Sequence, residues 1–477
     1  MTDTRPVALV WLRNALRVDD NPVLQAALDG GFRPVPVYVH APGDAGRWPM
    51  GAAQRAWLHR SLAALDARLR GLGSGLVLRS GRAQAVIERL VAESGAVAVY
   101  GDRRVEPAWR ALDQRLDAAL ARSGVRLEMR QAALLFEPDA ESVRTGQGTP
   151  YRVFTPFWKT LRRQWPQDRP LPAPTSLPPL PALATGTLAD LDLAPRTAWD
   201  TGFWEHWEPG GAGAHELLDA FVEGAAGAYD AQRDLPDRIG TSRMSPHLHL
   251  GEISPRQILA RLADARWNAR QKAGIEAYER ELAWREFSHH LLWHFPHMQE
   301  EDFNPRFARF AWAEPAPQVL EAWRHGRTGI PIVDAGMREL WACGWMHNRV
   351  RLIVGSVLTK NLRQHWLAGA RWFWDTLVDA DLANNSQNWQ WIGGTGADAA
   401  PYFRIFNPVT QSERFDPHGR YIRQWMPELA ALPGKAIHAP WTQPALLARY
   451  APAYPKTPVV DLAESREAAL DAFRALR

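Results

Sequence analysis

Apolar residues recur over positions 1–132 in two rhythms. Short apolar or β-branched runs, VALVWL, RPVPVYVH, GLVLRS, AVAVYG and VRLEMR, alternate with stretches of helical spacing such as 51–72 and 107–122. Strands covered on both faces read as continuous apolar runs. Their alternation with helices predicts an α/β domain over 1–132, built on a doubly wound parallel sheet. Sheets of this kind take ligands beyond the carboxyl ends of their strands. The first strand, however, leads into WLRNALRVDDNP and not into a G-x-G-x-x-G turn, so the usual dinucleotide fingerprint is absent.

The rhythm then breaks. Eight prolines fall between Pro166 and Pro195. Proline fixes φ and removes a donor, so 133–205 is expected to be an extended interdomain linker that carries no chemistry. From 206 to 477 the spacing is helical, and a larger all-α domain is expected there. Ser254, Pro255 and Gln257 make a capping box at one helix start. Further helices are expected at 275–295, 332–342, 346–361 and 370–377.

Composition narrows the class. The chain has 477 residues, 46% hydrophobic and 23% charged, values that support a sizeable core. No apolar stretch approaches the roughly 20 residues of a membrane span, and the start lacks a basic leader before an apolar run, so a soluble cytoplasmic protein is expected. Cys343 is the single cysteine, which excludes an internal disulfide and a cysteine-built metal site. Only five of the 56 basic residues are lysine. Guanidinium groups suit bidentate phosphate contacts. The 23 tryptophans exceed what packing asks for and leave room for stacking or redox roles.

Chemistry concentrates in a few segments. DADLANNSQNWQW, residues 379–391, is too polar for a core helix and too aromatic for a solvated loop. In AYERELAWREFSHHLL, Glu281, Trp284, Arg285 and Ser288 recur at i, i+3, i+4 and i+7 and share one helical face. GWMHNRVRLIV repeats the spacing with Trp345, Asn348, Arg349 and Leu352. There Arg351 points elsewhere and needs an anion, which Asp379 or Asp381 supplies. GTSRMSPHLHLGEISP brings Thr241, Ser242, Ser245 and Arg243 to a helix start, a candidate phosphate cradle. His247 with His249, and His289 with His290, lack an accompanying carboxylate pattern, so no metal site is expected. No G-x-S-x-G elbow appears, and nucleophilic catalysis is unsupported.

Taken in order, WLRNALRVDDNP, GTSRMSPHLHLGEISPRQI, ELAWREF, TGIPIVDAGMREL, GWMHNRVRL and NWQWIGGTGADAAPYFRIFNP resemble the cryptochrome/photolyase family of FAD flavoproteins over nearly the whole chain. Within the family they look most like the enzymes that repair cyclobutane pyrimidine dimers, in the bacterial class near plant cryptochromes. The resemblance implies light-driven repair of damaged DNA by electron transfer from excited, reduced FAD to a flipped-out dimer.

The same resemblance assigns roles by position. FAD would be held by Tyr229, Thr241, Ser242, Arg243, Met244, Ser245, Tyr278, Arg285, Asn348, Arg351, Asp379 and Asp381, with Arg351 salt-bridged to Asp379 and Asn385 facing flavin N5. Glu281 and Asn348 would hold the dimer's base edges between Trp284 and Trp391. Trp389, Trp366 and Trp312 would pass electrons to the flavin. Arg233, Arg349 and Arg404 would meet DNA phosphates. Glu106 matches an antenna-contact position, with a methenyltetrahydrofolate antenna preferred over a deazaflavin. Two departures stand out. Ala15 replaces an acidic residue. Leu352 replaces the usual methionine, which keeps size and apolarity and argues against a six-four photoproduct enzyme. A monomer is expected, and the competing reading is a blue-light photoreceptor of cryptochrome type.

Overall fold

The apolar runs form strands β1 (Val7–Trp11), β2 (Arg33–His40), β3 (Val77–Ser80), β4 (Ala98–Asp102) and β5 (Arg126–Arg130) in a computed structural model that describes residues 4–314, 316–398 and 403–476. All neighbours pair in parallel, in the order β3-β2-β1-β4-β5. Leu9 of β1 sits in register with Val35 and Val99. Helices α1 (Pro22–Asp29), α2 (Ala52–Gly71), α3 (Ala83–Ser94) and α4 (Pro107–Arg122) connect the strands and cover two apolar layers, one on each face of the sheet. The doubly wound expectation holds, and α4 has the bounds that the periodicity gives.

The segment where a dinucleotide loop would stand bolts the two domains together. The Arg17 guanidinium donates to the carbonyls of Asp20, Ala132 and Gly251. Leu16 N–H donates to Leu250 O at 3.1 Å. Asp102, at the end of β4, accepts from the backbone N–H groups of Arg13 and Asn14.

The proline-rich stretch is a strap, as its missing donors dictate. Leu177 N–H bonds Leu72 O, and Gly186 N–H bonds Leu78 O. It departs from the expected linker in one respect. Between 133 and 205 lies α5 (Phe154–Arg163), whose Phe154, Phe157, Trp158 and Leu161 are buried against the helical domain.

The helical domain follows with α6 (Gly211–Glu223), α7 (Tyr229–Gln232), α8 (Ser245–Leu250), α9 (Pro255–Asp264), α10 (Gln271–His294), α11 (Pro317–Arg324), α12 (Pro331–Cys343), α13 (Asn348–Ser356), α14 (Trp366–Thr376) and α15 (Leu382–Gly393). The Ser254–Gln257 capping box opens α9 as expected. The expected helix over 346–361 is shorter at its start and passes into a π turn at Val357–Asn361. That turn buries Lys360, whose Nζ lies 3.4 Å from the Phe403 ring centre and donates to Gly393 O at the end of α15. Burial pushes its pKa well below the ordinary lysine range. Helix α14 meets α2 directly. Ala52 N–H donates to Asp375 at 2.9 Å, and the Trp374 indole donates to Pro49 O at 2.6 Å. No helix among the described residues is long and apolar enough to cross a membrane.

Candidate active site

A cavity of about 420 Å³ opens between the loop before α8 and helices α7, α10, α13 and α15. The α10 periodicity does what the spacing requires. Tyr278, Glu281, Leu282, Trp284, Arg285 and Ser288 all line this one space. Arg285 donates to Ala133 O at 2.7 Å and Leu248 O at 3.2 Å, so it frames the wall. Trp284 is held flat by a neighbour from α5, with its ring stacked on Phe154 at 3.7 Å and 8°.

The floor is polar and tightly tied. The Tyr278 hydroxyl donates to Ser242 Oγ at 3.0 Å, and burial pushes the phenol up to about 12. Arg243 adopts φ +53, a left-handed backbone that turns its guanidinium over the rings of Trp207 (4.3 Å) and Trp345 (5.1 Å). Its Nε is buried with no hydrogen-bond partner among the described residues. Ser245 Oγ donates to Asp379 at 2.6 Å, and Arg351 donates to both Asp379 oxygens at 3.1 and 2.8 Å.

Asp381 closes the floor. Burial alone would raise its pKa, but His289 at 3.2 Å and His249 at 3.8 Å hold it well below the carboxylate range. It also caps α15 by accepting from Asn384 N–H at 2.8 Å.

Most of the residues singled out in the sequence converge here. Tyr229, 241–245, Tyr278, Glu281, Trp284, Arg285, Asn348, Arg351, Asp379, Asp381 and Trp391 all line the cavity. Several details differ. Arg351 faces the same space as Asn348 and Leu352 instead of pointing away, and Trp345 precedes α13 instead of sharing its face. Asn385 is not a lining residue; its amide donates to Ala370 O at 3.0 Å, while Asn384 beside it and Asn388 three residues on do line the space. Arg233 and Glu281, assigned apart to phosphate and base, are paired with each other. Arg349 pairs with Asp234 at 2.7 Å and lies 4.3 Å from the Phe415 ring centre. Arg404 is exposed, away from the lining.

Trp389 is buried on α15 but is not a lining residue; its ring lies 5.0 Å from Phe373 and 6.3 Å from Trp323. Trp366 is fully buried at the start of α14, and Trp312 is half-buried; the His365 ring lies 5.6 Å from the first and 5.0 Å from the second. Glu106 pairs with Arg104 at 3.0 Å. That pair faces a separate interdomain space of about 60 Å³ that it shares with Trp48, Trp109 and Trp374. Burial would raise the Glu106 pKa, yet Arg104 lowers it. His249 borders both cavities. Nothing in the sequence singled out Phe154 or Gln387, and His249 and His289 stood out only as metal-ligand candidates, not as partners of Asp381. Among the described residues no cluster of side chains fits a metal ion.

Comparison with known proteins gives this arrangement a family. Residues 8–177 match the model described as DNA photolyase, and 278–475 match the FAD binding domain of DNA photolyase. A deoxyribodipyrimidine photo-lyase of Agrobacterium fabrum is 42% identical over 99% of this chain and 98% of its own. Arabidopsis thaliana cryptochrome-1 is 36% identical over 92% of this chain and 65% of its own. A crystal structure of a bacterial class III photolyase from Agrobacterium tumefaciens superimposes with a TM-score of 0.91, at 41% identity, over 100% of this chain and 98% of that one. The chain belongs to the DNA photolyase family. Its cavity fits the FAD that the family domain binds. The buried Arg243 Nε has no hydrogen-bond partner among the described residues, which leaves it free to meet a phosphate, and Ser242 and Ser245 add hydroxyls to the same lining.

Proposed function

We propose that the chain is a light-driven DNA repair enzyme that splits cyclobutane pyrimidine dimers, with FAD on the floor of the cavity and the dimer at its mouth. The single observation behind this reading is the convergence of Glu281, Asn348, Trp284 and Trp391 with Asp379, Asp381 and Arg351 on one space. When bound, reduced FAD supplies light absorption and a transferable electron. Arg243, Ser242 and Ser245 hold its phosphates, and the Arg351–Asp379 pair and Asp381 fix its orientation. Asn385, carried over from the family motif, serves the flavin ring through α15.

A flipped dimer enters between Trp284 and Trp391, which stack on it and exclude water. Glu281 accepts a hydrogen bond from one base edge, and Asn348 holds the other. DNA phosphates compete for Arg233 and Arg349, drawing them from Glu281 and Asp234; Arg404 adds a further contact. Phosphate contacts of this kind set affinity and salt dependence, not sequence preference. Trp389, Trp366 and Trp312 carry electrons inward for photoreduction. Glu106 belongs to an antenna site, with a folate as first choice and a deazaflavin second. The domain boundaries follow the strap, 1–132, 133–205 and 206–477, and the protein is a cytoplasmic monomer.

The test is repair itself. Photoreduced protein is illuminated with an oligonucleotide carrying one thymine dimer, beside a dark control. Light-dependent dimer loss is expected. Bound, reduced flavin with no dimer loss would overturn the reading and favour a cryptochrome-type photoreceptor.

A further inference from the structure

Among the described residues, Trp366 is the one indole of the Trp389–Trp366–Trp312 series whose ring nitrogen bonds an ionisable partner. Its Nε1 donates to Asp302 Oδ1 at 2.9 Å, from a ring with no exposed surface. The neighbouring rings differ. Trp323, packed against Trp389, donates to the neutral carbonyl of Val354 at 3.2 Å. Trp345 lines the cavity but donates to Ser245 Oγ at 3.2 Å, and the guanidinium groups of Arg243 and Arg351 lie 5.1 and 5.7 Å from its centre. Cations over a ring oppose the positive charge left when that ring loses an electron. A carboxylate on the N–H favours it and takes the proton.

Asp302 is also built into place. It lies in a short segment with no helix or strand. Gln390, fully buried between Trp389 and Trp391, bonds that segment on both sides of Asp302. It donates to Glu301 O at 2.8 Å and Met298 O at 2.7 Å, and accepts from Phe303 N–H at 2.7 Å. Asn304 N–H donates to Thr395 O at 2.8 Å just beyond. The helix that carries Trp389 thus fixes the acceptor for Trp366.

We propose that Asp302 is the proton acceptor of Trp366 during photoreduction. The inference rests on the reading that Trp389, Trp366 and Trp312 form the electron line. With FAD bound, Trp389 would give one electron to the photoexcited flavin, and Trp366 would give one electron to the oxidised Trp389 ring. The Nε1 proton of Trp366 crosses to Asp302 Oδ1, leaving a neutral indolyl radical and a neutral carboxyl. An electron from Trp312, past the intervening His365 ring, restores Trp366, and the proton returns from Asp302. Charge separation is therefore held at Trp366 by a proton as well as by distance.

The test uses FAD-loaded protein with oxidised flavin and follows radicals by flash absorption. A Trp312→Phe background stops the hole at Trp366. There the neutral-radical band is expected, forming more slowly in D2O than in H2O. Adding Asp302→Asn is expected to replace it with the radical-cation band and abolish the isotope effect. Identical bands and isotope effects with and without Asp302→Asn would overturn the proposal. Trp366→Phe separates the two levels: if it photoreduces as fast as wild type, the electron line itself is wrong and the proposal falls with it. Should Asp302→Asn fail to fold or hold flavin, the Trp312→Phe protein alone decides, since a cation band insensitive to D2O would overturn the assignment.

Discussion

Replacing Gly369 by alanine tests how closely Trp389 is held. Gly369 lies in α14, and a Cβ built there falls 2.1 and 2.5 Å from two atoms of the Trp389 ring and 2.6 Å from Leu358 Cδ2. The nearest approach is about 1.3 Å inside the distance at which ordinary contact begins. Trp389 has nowhere easy to go, because its other side meets Phe373 and Trp323. Two effects oppose each other. Alanine in a helix interior gains about 0.8–1.0 kcal/mol over glycine, whereas overpacking a filled core costs about 1–3 kcal/mol. Gly71, the last residue of α2, is an open-site control, since a Cβ there meets nothing within 4 Å, and its propensity gain at a helix end is smaller than inside. The difference between Gly369→Ala and Gly71→Ala in urea midpoint, converted with a common slope, is therefore expected to reach up to about 3 kcal/mol, with Gly369→Ala the weaker. Flash photolysis should also find Trp389 oxidation slowed in Gly369→Ala alone. If the two variants denature together and Gly369→Ala photoreduces normally, the ring does not rest on that backbone and the packing argument is wrong.

Glu281→Gln is expected to lower dimer repair by reduced protein roughly 10- to 100-fold, because a hydrogen bond to a charged group is worth about 1.5–3 kcal/mol; equal repair at equal flavin content would remove Glu281 from the substrate. Arg349→Ala should weaken DNA binding alike for every sequence and reduce the salt slope by about 1, as titrations at several salt concentrations will tell. Burial pushes the Glu339 carboxyl up to about 7, despite hydrogen bonds from Tyr421 and His347. The folded state then binds its proton more tightly than the unfolded state, so this group subtracts stability as pH rises from about 4.5 to about 7, by at most about 3 kcal/mol. Glu339→Gln should flatten that decline in denaturation midpoints, and an unchanged slope would show that Glu339 is not its source.

What could be read from the sequence was whatever local spacing encodes. The five strands, the bounds of α4, the Ser254 capping box and the shared face of Glu281, Trp284, Arg285 and Ser288 follow from periods of a few residues. The polar floor was legible as the Thr241–Ser245 cradle at a helix start and as the need of Arg351 for Asp379 or Asp381, between which the family resemblance chose Asp379. Contacts between distant segments were not legible. Nothing near Glu281 announces Arg233, which lies 48 positions earlier, and nothing near Trp284 announces Phe154, from a stretch whose prolines suggest an extended chain. Nothing local marks Asp302 or Gln390 either; only the fold brings 302 beside Trp366.

Helix α14 begins at Trp366, presses Gly369 onto Trp389, accepts the Asn385 amide at Ala370 and ends on the α/β domain through Trp374 and Asp375. It is a beam that spans both domains, and its far end is seated outside the domain that holds the cavity. Cutting the chain at the proline-rich strap would therefore leave a helical fragment with an unsupported beam. Its cavity residues would all be present, yet Trp374 and Asp375 would lose Pro49 O and Ala52 N–H.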